Sequence, residues 1–263
     1  LTSDLRFLGK DLKTLEETCS IHPDVQLKEF KGHKSCWKCT REREHKHMQE
    51  LQKSVKRRST YNMLKRSSIM DDPDLKRVSF NDYQERNSET KKNKQLAENL
   101  AIYYTDRNNK GNAIISGKAG VGKSHLAYSI LRYVNNHAEP MQSCLFVDFN
   151  ELLRRIKGSF HDKTSPYREE SMVSLLSGVD LLVLDDLGSE ATFQTRDSEA
   201  SNWAQNVLYA ILNHRNRTIV TTNLSGEQML NIYNDKVVSR VMKGSQDKII
   251  KFKDTKDYRA RLF

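Results

Sequence analysis

Asn112-Ala-Ile-Ile-Ser-Gly117-Lys-Ala-Gly-Val-Gly122-Lys123-Ser124-His125-Leu126 decides how this chain is read. The apolar run Ala113 to Ile115 predicts a buried strand, and Leu126, Ala127, Ile130 and Leu131 fall on one face of a helix. Between them lies Gly-x-x-x-x-Gly-Lys-Ser. Glycines let successive backbone N–H groups turn toward an anion, and a helix N-terminus adds partial positive charge at the same point. Gly117, Lys118, Ala119, Gly120, Val121, Gly122, Lys123, Ser124 and His125 are therefore the expected phosphate cradle. Lys123 can reach the β- and γ-phosphates of a nucleotide, and the Ser124 hydroxyl can ligate Mg²⁺. A plain surface turn would leave the Lys-Ser pair unexplained.

Downstream, Leu181-Leu-Val-Leu-Asp185-Asp186 predicts a buried strand ending in two acids. At the carboxyl edge of a parallel sheet such acids meet a magnesium–phosphate centre. Asp185 is expected to hold Mg²⁺ through water and Asp186 to orient or deprotonate the attacking water. Thr218 to Asn223 predicts another strand, whose tip Asn223 can hydrogen-bond the water or γ-phosphate, or else cap the helix starting near Ser225. Cys144 to Val147 and Lys248 to Phe252 supply two more strands, with Cys144 a core residue. Asn87-Ser88-Glu89 opens a helix, and residues 150–177 form two helical pieces broken around Ser165-Pro166. Five strands alternating with helices make a parallel α/β sheet covered on both faces.

The first 75 residues have a different character. Cys19-x-x-His22 precedes Cys36-x-x-Cys39, and two such turns supply four tetrahedral ligands for Zn²⁺. His33 competes for the fourth position. So small a segment buries little apolar area, and a metal supplies its folding energy. Thr40 to Arg58 predicts a polar helix with one thin apolar stripe, Met48, Leu51 and Val55, leaning lightly on something. Its basic residues either touch nucleic acid or form a solvated face. Residues 59–75 are expected to be a mobile linker between a 1–58 domain and a 76–263 domain.

The net charge of +10 makes nucleic acid a reasonable partner. Arg41 to Arg66 holds nine Lys/Arg against three Glu. No apolar run approaches the ~18–20 residues that span a bilayer, and no signal peptide is visible. Clustered cysteines beside histidines point to metal rather than disulfides, and to a reducing cytoplasm.

These motifs in this order resemble the AAA+ ATPases of the DnaC/DnaI type, bacterial replicative helicase loaders, with the transposition ATPase IstB related. The resemblance rests on Gly117 to Ala127, Val179 to Gly188, Ile219 to Ser225, Val237-Val-Ser-Arg240 and Asp257-Tyr-Arg259. It implies a five-stranded sheet in the order 5-1-4-3-2 without a helical lid, and an ATP/ADP site with Mg²⁺. It also implies that Arg240 is an arginine finger acting on a neighbouring subunit and Arg259 a sensor-2 arginine. The helices between the second strand and Asp185, carrying Arg154, Arg155 and Lys157, match a region that contacts single-stranded DNA. Lys236 stands where loaders often carry a second arginine. The 1–58 domain resembles the DnaI branch, in which the zinc-bearing N-terminus binds the helicase. The function implied is ATP-dependent loading of a hexameric replicative helicase onto single-stranded DNA, with self-association through the ATPase domain. Two alternatives are an IstB-like transposition regulator and a zinc-containing adaptor holding ATP as a structural ligand.

Overall fold

The computed structural model describes residues 12–192 and 201–257. The chain divides into two units between Arg58 and Ser59.

In the first unit, β1 (Lys13–Thr18), β2 (Gln26–Phe30) and β3 (His33–Ser35) form an antiparallel sheet in sequence order. Phe30 pairs with His33, so Lys31 and Gly32 alone make the turn, both at positive φ. Such two-residue turns match the right-handed twist of the flanking strands. Helix α1 (Trp37–Ser67) follows directly and crosses the boundary between the units. The Met48, Leu51 and Val55 stripe on α1 is exposed. The core of this unit is Cys19, Val25 and Cys36, with Leu27 and Cys39 against them.

The second unit is built from α2 (Ser88–Thr105), β4 (Ala113–Ser116), α3 (Lys123–His137), β5 (Cys144–Asp148), α4 (Phe149–Gly158), α5 (Glu169–Gly178) and β6 (Leu181–Leu187). It continues with α6 (Ser189–Thr192), α7 (Asn202–Asn213), β7 (Thr218–Thr222), α8 (Gly226–Ile232), α9 (Asp235–Val241) and β8 (Ile249–Lys251). All pairings are parallel, in the order β5-β6-β7-β4-β8. Numbered from β4, that is the expected 5-1-4-3-2 arrangement read from the other edge.

The strands are apolar at nearly every position because both faces are covered. Strand periodicity splits them between two cores. Leu182, Leu184, Leu145, Val147 and Val220 pack with α4, α5 and α7. Leu181, Val183, Phe146, Ile115 and Ile219 pack with α2 and α3. Helix α2 starts in a capping box between Asn87 and Thr90, as the Asn-Ser-Glu opening suggests.

Residues 59–75 are not a linker. Leu64, near the end of α1, is buried in the α2–α3 core, and Ile69 is buried in the other. Ile69 N–H donates to Phe146 O at 2.9 Å, and Asp148 N–H donates to Ile69 O at 2.8 Å. This one-residue bridge pairs the open edge of β5, which a sheet edge exposed to solvent would otherwise offer to other chains. Leu64 and Ile69, with partly buried Met63, Met70 and Leu75 against the same two cores, dock the stretch.

A nucleotide-type pocket and a four-ligand cluster

The two glycines that open and close the phosphate loop explain its path. Gly117 has φ +153°, and a Cβ there would lie 2.6 Å from Phe252 Cβ. Gly122, at φ +99°, caps α3, and a Cβ there would lie 3.0 Å from the Tyr83 ring. Only glycine combines that backbone with that approach.

Lys123 and Ser124 then begin α3. Lys123 Nζ donates to Lys118 O at 2.8 Å and to Asn223 Oδ1 at 2.6 Å. Ser124 Oγ donates to Asp185 Oδ2 at 2.9 Å. Thr221 Oγ1 donates to the other oxygen of Asp185 at 2.6 Å and accepts from Asp186 N–H at 2.9 Å. Asp186 adopts φ +56°, and the β6–β7 register shifts between Leu184 and Leu187. That bulge turns Asp186 out of the ladder, where Asn223 Nδ2 donates to it at 3.0 Å. Ser225, not Asn223, caps α8, so Asn223 is left to the Lys123–Asp186 pair. Strands β4, β6 and β7 thus bring Lys123, Ser124, Asp185, Asp186 and Asn223 to one sheet edge, around a cavity of about 290 Å³.

Three acids in this cavity escape the sequence reading. Asp148 ends β5 and caps α4, while Asp71 and Asp72 arrive on the docked 59–75 segment. With Asp185 and Asp186 they set five carboxylates against the ammonium of Lys123. A polyphosphate entering such a field needs a divalent cation beside it. Burial pushes the Asp185 carboxyl up to about 6 and raises Asp148 as well. These are groups that gain from a cation. Ser124 and Asp185 oxygens, already 2.9 Å apart, fit a shared Mg²⁺.

Arg240 lies on α9 away from this cavity. Its Nε donates to Asn213 Oδ1 at 3.2 Å and its guanidinium sits 5.8 Å from the Tyr209 ring centre. Among the described residues it has no acidic partner. Lys236 is exposed one turn earlier. Arg259 lies outside the described residues. Arg154 and Arg155 on α4 share one buried acid, Glu151, through contacts of 2.6, 2.8 and 2.7 Å. Arg155 also donates to Tyr167 Oη at 2.6 Å, and Lys157 Nζ lies 5.1 Å from the Trp203 ring centre.

In the first unit, Cys19, His22, Cys36 and Cys39 converge, with all ligand atoms within 4.8 Å of one another. Cys19 Sγ lies 3.5 Å from Cys39 Sγ, and His22 Nδ1 lies 3.3, 3.7 and 4.0 Å from the sulfurs of Cys39, Cys36 and Cys19. Tetrahedral zinc with ~2.3 Å bonds to sulfur places its ligand atoms roughly 3.7 Å apart. The donor set and spacing therefore fit zinc. His33 sits on β3, exposed and outside the cluster. Backbone N–H groups of His22 and Ile21 pull the Cys19 thiol down to about 6, whereas neighbouring Cys19 pushes Cys39 up to about 12. The far nitrogen of His22 contacts Glu42 Oε1 at 3.1 Å.

No helix among the described residues is long and apolar enough to cross a membrane. A family model described as "IstB-like ATP binding protein" matches residues 32–251. The replicative helicase loader DnaC of Buchnera aphidicola subsp. Schizaphis graminum is 29% identical over 171 residues, which is 64% of each chain. The match thus falls just short of two thirds of that relative's length. A crystal structure of the DnaC helicase loader superposes with TM-score 0.56 at 19% identity, covering 68% of this chain and 98% of that one. One of DnaI gives TM-score 0.56 at 24% identity, covering 71% and 96%.

Proposed function

Since the chain belongs to the family of IstB-like ATP-binding proteins, we propose that it is an ATP-dependent helicase loader, placing a hexameric replicative helicase on single-stranded DNA. The observation that carries this reading is the convergence of Lys123, Ser124, Asp185, Asp186 and Asn223 on one cavity. Similarity to DnaC loaders supports the choice of task.

In this reading Lys123 leaves Asn223 and meets the β- and γ-phosphates of ATP. Ser124 and Asp185 would hold Mg²⁺, which would supply neutralisation of the charge on the phosphates. Asp186 takes the proton of the attacking water, and Asn223 orients that water. ADP stays on the same loop N–H groups, Gly117 to His125. Arg240, with no acidic partner among the described residues, serves a neighbouring subunit's γ-phosphate, and Arg259 senses the nucleotide on its own. Cys19, His22, Cys36 and Cys39 would hold one Zn²⁺, whose bonds would tie two turns of the first unit together, and this unit grips the helicase. Single-stranded DNA is the second partner and the ATPase domain self-associates.

Turnover by a finger supplied in trans tests the assembly. Arg240→Ala alone and Lys123→Ala alone should both be inactive, while their mixture regains part of the activity. A finger in trans contributes ~10³–10⁵ in rate in other phosphate-transfer systems, so turnover per subunit should rise with concentration. Full activity of Arg240→Ala at every concentration would refute it.

A further inference from the structure

Nucleic-acid contact needs cations free to meet phosphate, and α4 offers few. Arg154 and Arg155 already share the buried carboxylate of Glu151. Another basic surface lies in the same unit. A groove of about 510 Å³ runs between the end of α1, the turn Pro73–Arg77 and α3. Lys65, Lys76, Arg77 and Arg132 line it, and no carboxylate does.

These four cations are not equivalent. Lys65 and Lys76 enter no ion pair among the described residues. Arg77 faces Asp74 at 3.5 Å, but both side chains are more than four-fifths exposed. Such a pair is loosely held and readily exchanged for phosphate. Arg132 is already committed, donating to Arg77 O at 2.6 Å and Val78 O at 2.9 Å. It stiffens the wall that carries Arg77.

One further feature separates this groove from a solvated basic face. Tyr61, half exposed, lines the same groove and is tethered by its hydroxyl to Asn136 Oδ1 at 3.2 Å. A positive groove with an anchored aromatic ring is the combination that holds single strands, by phosphate contact and base stacking.

We propose that this groove binds the backbone of single-stranded DNA, with Lys65, Lys76 and Arg77 on phosphates and the Tyr61 ring under a base. The inference rests on the reading above that single-stranded DNA is a partner. It moves the principal contact from α4 to a surface formed by the segment that docks at residues 59–77.

The test is binding of a fluorescent oligo-dT strand to the full chain across a salt series, with ATP binding measured in parallel to show that each variant is folded. Two triple variants are compared: Lys65→Ala/Lys76→Ala/Arg77→Ala and Arg154→Ala/Arg155→Ala/Lys157→Ala. Each phosphate contact on a single strand contributes roughly 0.7 to the slope of log affinity against log salt. The groove variant should lose about 2 from that slope and bind at least about tenfold more weakly at low salt, while the α4 variant keeps most of the slope. Tyr61→Ala should weaken binding, and Tyr61→Phe, which keeps the ring but loses the tether, should restore most of it. An unchanged slope in the groove variant, or a slope lost entirely in the α4 variant, overturns the proposal. Absence of binding by the unsubstituted protein at any salt would instead defeat the DNA reading on which it rests.

Discussion

The two units of this chain hold themselves together by opposite means. The phosphate-loop unit buries two large apolar cores on the faces of one sheet. Among the described residues, the first unit buries Cys19, Val25 and Cys36 and little else. Two of those three are themselves members of the four-ligand cluster. Burial of so few residues at ~25 cal/mol per Å² offsets little of the entropy of ordering the sheet, and a metal cross-link through the cluster would supply the difference. One unit is a fold that carries a ligand site; the other is a ligand site that carries a fold.

The largest effect expected from that contrast is metal removal. Structural zinc contributes an apparent ~10–16 kcal/mol in small zinc modules. Chelation, or Cys36→Ser, should therefore abolish amide protection in β1 to β3 by hydrogen exchange. The melting of the nucleotide-binding unit should not move. Persistent protection of β1 to β3 in metal-free protein would break the comparison.

The reverse experiment comes next. Lys123→Ala should abolish nucleotide binding, and Asp186→Asn should keep binding and lose turnover, both with zinc content intact. Calorimetry and metal analysis on the same samples check this. Equal turnover in Asp186→Asn and the unsubstituted protein would remove Asp186 from the role of base.

A smaller, pH-dependent effect belongs to Asp185. Burial raises its folded value to about 6, above the ~3.9 of an unfolded aspartate. Its contribution to ligand-free stability is thus fully present below about pH 4 and lost as pH rises through about 6. Cation binding has the opposite sign, because it needs the carboxylate. Mg²⁺-dependent nucleotide affinity should fall below about pH 6, by up to roughly tenfold per unit, and Asp185→Asn should flatten that profile.

The smallest effect concerns Glu42, which meets the far nitrogen of His22 at 3.1 Å. Partners of a ligating histidine fix its ring and tautomer, and their loss typically costs ~10–100-fold in metal affinity. Glu42 is largely exposed, so Glu42→Ala should sit near the lower figure in chelator competition.

Much of this was legible because it is local. The Gly-x-x-x-x-Gly-Lys-Ser spacing, the two x2 metal pairs and the strand ending in Asp185 and Asp186 each lie within a few residues. The strand order was not local, and came from resemblance. What stayed hidden depends on contacts distant in sequence. Leu64 and Ile69 look incidental in a polar stretch until α2, α3 and β5 surround them. Thr221 and Asp148 are ordinary strand-end residues until β7 and β5 align beside β6. Arg215, buried and donating to the Leu176, Ser177 and Val179 carbonyls at the end of α5, gave no signal either. The pairing on α4 is local by contrast: Glu151 stands three and four residues before Arg154 and Arg155, the spacing of helical ion pairs.

The division of labour between the units is tested most directly by affinity for the cognate hexameric helicase, measured for Cys36→Ser and Lys123→Ala side by side. The account predicts that Cys36→Ser binds ATP normally and loses the helicase. Lys123→Ala should hold the helicase with undiminished affinity and no longer respond to ATP. A Cys36→Ser protein that has lost its zinc and still binds the helicase as tightly as the unsubstituted chain would contradict it.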